Sequence, residues 1–137
     1  MVSLPNYSTL IPVARSLEEI VQAIPAPVRF EREHGRVAAV SFRCGGEFYR
    51  LAPNIEGAWK LLNEDRRVPK RLRSYEHAER VAWRCVVQWV RAELALLSMD
   101  RAAPRPGKPS FRRRWSALDT LVSVQKRAQL QWGERLE

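Results

Sequence analysis

The stretch from Ala26 to Ala52, APVRFEREHGRVAAVSFRCGGEFYRLA, decides the fold. On either side of it apolar residues recur at the three-to-four spacing of helices. Within it, β-branched and aromatic residues alternate with charges at a period of two. Val28 and Phe30 fall on one side of one strand, and Val40 and Phe42 on one side of the next. The two pairs can therefore meet across a hairpin. His34-Gly35 and Cys44-Gly45-Gly46 supply the turns, because glycine reaches the positive φ that tight hairpins need. These features predict a three-stranded antiparallel meander that closes at Tyr49 and Leu51. A sheet this small is not stable alone and needs a cover.

The cover is legible downstream. From Tyr75 to about Met99 there is neither glycine nor proline. Trp83, Val86, Val87, Val90, Leu94 and Leu97 form an apolar stripe there, which Ala82, Cys85, Trp89, Ala92 and Leu96 widen. Ser74 is a good N-cap, and Glu76 and Glu79 suit the positive end of the helix dipole. The predicted class is α+β: a three-stranded meander packed on a long central helix, with a short N-terminal and a longer C-terminal helix.

The remaining segments read as follows. Pro5 and Pro12 make residues 1–14 an extended arm, either mobile or docked on the body. Ser16 with Glu19 has the spacing of a capping box for a short helix stopped by Pro25 and Pro27. A brief helix over Glu56 to Leu62 carries Trp59 and Leu61 or Leu62 toward the core. Residues 100–114 form a Pro-rich basic linker, and 115–137 a last helix with Leu121, Val124, Ala128 and Trp132 on one face. The expected organisation is a single domain spanning 1–137 with its core at 15–99.

Composition narrows the function. Lys and Arg number 24 against 15 Asp and Glu, giving a formal net charge of +9. Such a balance favours acidic partners, nucleic acid first. Lysine occurs only at Lys60, Lys70, Lys108 and Lys126, so arginine carries the charge, with its bidentate grip on phosphate. The two cysteines, Cys44 and Cys85, form no CxxC or dense framework, as expected of a reduced cytoplasmic protein. No apolar run is long enough for a membrane span, and the N-terminal segment lacks the pattern of a secretory signal, so no membrane partner is expected.

The cations are placed more tellingly than they are numbered. Arg66, Arg67, Lys70, Arg71 and Arg73 crowd the segment DRRVPKRLR. The helix beyond repeats His77, Arg80, Arg84, Gln88 and Arg91 at spacings of three or four, which puts them along one side. The reading is a basic track whose loop meets phosphates while Arg80, Arg84 and Arg91 extend the contact. The bland alternative is a solvated helix face with arginines paired to nearby Glu residues. Arg112, Arg113 and Arg114, with Phe111 and Trp115, form a second cationic segment that either wraps a strand or is an ordinary solvated loop between helices. Trp83 and Trp89 belong to the core, leaving Tyr49, Phe111 and Trp115 as candidate exposed aromatics.

No catalytic signature is present: the chain has no GxxxxGK[ST], GxSxG or HExxH. His77 and Cys85 stand about 12 Å apart along one helix, too far to share a zinc ion. Neither a catalytic residue, a metal site nor a cofactor is expected.

The segment VPKRLRSYEHAERVAWRCVVQWVRAELALL, with its basic lead, Ser-Tyr-Glu start and paired tryptophans, resembles a segment of small proteins from phages and other mobile elements. The resemblance covers about a quarter of the chain. It implies a nucleic-acid accessory protein, or a regulator or inhibitor that docks its basic face on an acidic surface of a host protein complex. The leading expectation is therefore a non-catalytic module for DNA or RNA. Self-association as a homodimer through the C-terminal helix is compatible with either reading.

Overall fold

The computed structural model of the protein describes residues 4–44 and 47–104. Its elements run α1 (Val13–Ala23), β1 (Val28–Glu33), β2 (Arg36–Cys44), β3 (Glu47–Leu51), α2 (Ile55–Glu64), a 3-10 turn (Lys70–Leu72) and α3 (Tyr75–Ala102). The class is α+β, as the sequence indicates. Most of the 100–114 linker and the whole 115–137 helix lie outside the described residues.

The described chain divides into two compact units. The first holds the residues up to Gln22 together with Pro53–Trp89; the second holds Ala23–Ala52 and the chain from Val90 onward. In the second unit the sheet has the order β1-β2-β3, antiparallel throughout. Val28 pairs with Phe42 and Phe30 with Val40, the meeting expected from the alternation. His34 and Gly35 connect β1 to β2 with φ of 52° and 76°. Positive φ at both central residues is what a type I′ turn demands, and histidine is among the few side chains that tolerate it. The register slips between Glu31 and Arg32, leaving Ala38 as the extra residue of a bulge. The middle strand is buried on both faces, with Ala39, Val40, Ser41 and Phe42 all enclosed. Phe42 stacks on Tyr49 at 5.6 Å. On the opposite face Arg50 reaches across the small side chains of Ala39 and Ser41 to grip Glu31, with contacts of 2.6 and 3.1 Å.

The first unit is built around α2, α3 and the segment between them. Ala58 and Leu62 of α2, Val68 and Leu72 of the connection, and Ala78, Val81 and Ala82 of α3 form one cluster, with Leu4 and Tyr7 packed against it. Asn54 caps α2 by accepting from the Gly57 amide at 2.9 Å. Ser74 Oγ accepts from the His77 amide at 3.1 Å, which makes it the α3 cap read from the sequence. The helix runs to Ala102, three residues past the expected end, and spans about 42 Å at 1.5 Å per residue.

Two local expectations are corrected. The first helix begins at Val13, because the Pro12 carbonyl accepts from the Arg15 and Ser16 amides and the ring's fixed φ suits a helix start. Ser16 is thus a fully buried helix residue and caps nothing. Trp59, expected in the core, is 40% exposed.

Candidate functional site

The loop DRRVPKRLR owes its shape to an internal alternation. Val68 and Leu72 bury into the α2–α3 cluster, each contributing about 1.5–3 kcal/mol of apolar burial. The cations between them are left outside: Arg66, Arg67, Lys70 and Arg71 are all exposed. Burial of the two apolar anchors thereby projects the charges.

Asp65 and Arg73 fix the loop from its two ends. The buried Asp65 carboxylate accepts from the Arg67 amide at 3.0 Å through Oδ1, and from the Arg67 guanidinium at 3.2 and 3.1 Å through Oδ1 and Oδ2. That carboxylate pushes the Arg67 guanidinium pKa further up, first by hydrogen bonding and then by charge. From the far end, Arg73 donates Nε to the Val68 carbonyl at 3.0 Å and Nη2 to the Asp65 carbonyl at 3.1 Å. Those carbonyls point into the loop and would otherwise need water. Arg73 is therefore a structural staple. Arg67 keeps a 62% exposed side chain despite its pairing.

Within this nine-residue segment five cations face one carboxylate. Among the described residues, no side-chain hydrogen bond or ion pair engages Arg66, Lys70 or Arg71. The concentrated positive field is the chemical property of the site: fixed donors for a polyanion, at a place where the backbone is already ordered.

The helical half of the expected track is closed at His77 and Arg84. Arg84 is buried and donates to Glu19 Oε2 of α1 at 2.5 Å and to Ser16 Oγ at 3.3 Å. A guanidinium enclosed in that way cannot meet a phosphate, so Arg84 is removed from the contact set. His77 is fully buried, its Nε2 2.5 Å from the Tyr7 carbonyl, and Arg80 is half-buried with Nη2 3.4 Å from His77 Nδ1. Gln88 exchanges two amide hydrogen bonds with Asn6, at 2.8 and 3.1 Å. Cys85 Sγ lies 3.7 Å from the Pro5 carbonyl, and burial raises its pKa from the ordinary 9.0 while a hydrogen bond with Asn6 opposes the shift. The N-terminal arm and α1 thus lie along the side of α3 that the spacing offered as a cationic face. Asn6, at φ 64°, makes the turn that lets the arm do so.

Arg91 is exposed but belongs to the second unit, and Arg112, Arg113 and Arg114 lie outside the described residues. Tyr49, expected outside, is buried against Phe42. The aromatic that sequence reasoning missed is Trp59. Its Nε1 donates to the Arg73 carbonyl at 2.8 Å, directly after the turn bearing Lys70 and Arg71, and its ring stands at 89° to Tyr75 with centroids 5.5 Å apart. The spacing of α2 alone gives no signal for this, since Trp59 reads as one of several apolar residues on that helix.

Among the described residues no group of three or more His, Cys, Asp or Glu side chains is placed to hold a metal ion, and no helix is long and apolar enough to cross a membrane. No known protein family, no curated protein and no solved structure matches this chain.

Proposed function

We propose that this protein binds nucleic acid, DNA or RNA, through its phosphates and without catalysing a reaction on it, using Arg66, Arg67, Lys70 and Arg71 as the principal contacts. One observation carries this reading: the four cations are exposed together on a loop anchored by Val68, Leu72, Asp65 and Arg73. An ordered cationic loop loses little conformational freedom when it meets a polyanion, which favours binding over the same charges on a free chain. Contact through phosphates positions a ligand but carries no base preference. Arg84, held by Glu19 and Ser16 of α1, takes no part in the contact.

The test is reversal of the three side chains that no hydrogen bond or ion pair engages among the described residues. Arg66→Glu, Lys70→Glu and Arg71→Glu in one variant should abolish oligonucleotide binding in an anisotropy titration while leaving the thermal midpoint within a few degrees of the parent. Retention of the parental affinity would remove the loop from the interface.

A further inference from the structure

We infer that the ligand of the basic loop is single-stranded nucleic acid, with the Trp59 indole as the platform on which a base stacks. This rests on the phosphate-binding reading above and adds the substrate class.

The argument starts from the exposure of Trp59. Among the described residues of the first unit, Tyr7 and Tyr75 are half-buried, Trp83 is fully buried and Trp89 is half-buried; Trp59 alone of the large aromatics is exposed. Its one polar atom is already satisfied by the Arg73 carbonyl. The open remainder of the side chain is therefore hydrocarbon and π-surface in contact with water, beside a concentrated positive charge. The hydrogen bond and the perpendicular Tyr75 ring hold the indole in place before any ligand arrives. The same carbonyl ties it to the cationic turn, since the Arg73 amide donates to the Lys70 carbonyl at 3.1 Å.

A positively charged surface with a preordered aromatic beside it matches what a single strand offers: a phosphate backbone and unpaired bases with exposed faces. A duplex offers the same phosphates but keeps its bases stacked on one another. Phosphate contact alone gives the single strand no advantage, since the duplex carries the higher charge density, so the indole is the feature that favours the strand. One base on one indole raises single-strand affinity by about fivefold or more.

The experiment uses the full chain and fluorescein-labelled oligo(dT), oligo(rU) and a DNA duplex of equal length, compared by anisotropy at one low salt concentration. The parent should bind the single strands at least about fivefold more tightly than the duplex. Trp59→Leu should remove that preference, whereas Trp59→Phe, which loses the same Nε1 hydrogen bond but keeps a stacking face, should retain most of it. Equal parental affinity for strand and duplex overturns the inference while the phosphate-binding reading stands, and that comparison needs no variant to fold. Absence of binding to any of the three probes overturns both. Preference for the single strand that survives Trp59→Leu assigns it elsewhere and also overturns the role of Trp59.

Discussion

Replacing Arg84 by alanine should cost this protein about 3 kcal/mol of stability, near the lower end of the 3–5 kcal/mol range for breaking a buried ion pair. The structure sets that magnitude. Arg84 and Glu19 have side-chain exposures of 8% and 15%, so solvent screens the pair little, and their contact is 2.5 Å. Removing the guanidinium leaves the Glu19 carboxylate and the Ser16 hydroxyl without their shared donor in an enclosed place. Glu19 keeps another interaction, which holds the loss toward the lower bound. For a chain of this size the loss corresponds to a fall of about 10–15 °C in the thermal midpoint. Urea denaturation followed by circular dichroism measures it directly. Arg84→Met combined with Glu19→Leu should recover most of the loss, because an apolar pair of similar volume leaves no charge stranded. A loss under about 1 kcal/mol for Arg84→Ala, the value of an exposed pair, would refute the claim that α1 encloses this residue.

Three further outcomes follow from particular contacts. Ser74→Ala should lower stability by about 1 kcal/mol through loss of the α3 cap, while Ser74→Asn should be nearly neutral, both read by urea midpoint. Arg73→Ala frees the Val68 and Asp65 carbonyls and should cost about 1–3 kcal/mol, with faster amide hydrogen exchange over residues 65–73 as the specific signature. The raised Cys85 pKa makes the neutral thiol the form favoured by folding: its contribution is present below the ordinary 9.0 and is lost as pH climbs through the higher folded value. Iodoacetamide at pH 8 should accordingly alkylate the Cys85 of the folded protein more slowly than in urea, and equal rates would contradict the burial of that thiol.

The contrast between the sheet and α3 shows what a chain makes readable. The meander was legible because its signals are local: alternation within six to nine residues, and a His-Gly pair whose positive φ closes the hairpin. The Ser74 cap was legible for the same reason. The arginine face of α3 was legible as a row of positions but not as one covered at His77 and Arg84, because their partners come from elsewhere in the chain. Glu19 lies 65 residues from Arg84, and Tyr7 lies 70 residues from His77. Spacing along one helix tells which residues share a side and says nothing of what covers it. Ser16 and Glu19 were misread likewise: their capping-box spacing is real, but their oxygens are taken by Arg84 and the helix has already begun at Val13. Within the loop, Val68 and Leu72 between cations were a usable signal for an anchored turn. The capture of Trp59 by the Arg73 carbonyl was not, since it depends on how α2 and the turn pack together.

The central claim is that the loop cations, and not the α3 row, neutralise phosphates. A salt series on oligo(dT) binding tests this most directly. With about three to four phosphates engaged, log K should fall against log salt with a slope of roughly −2 to −3, and Arg71→Ala should make that slope shallower by about 0.7. An affinity that does not vary with salt, or a slope left unchanged by Arg71→Ala, would contradict it.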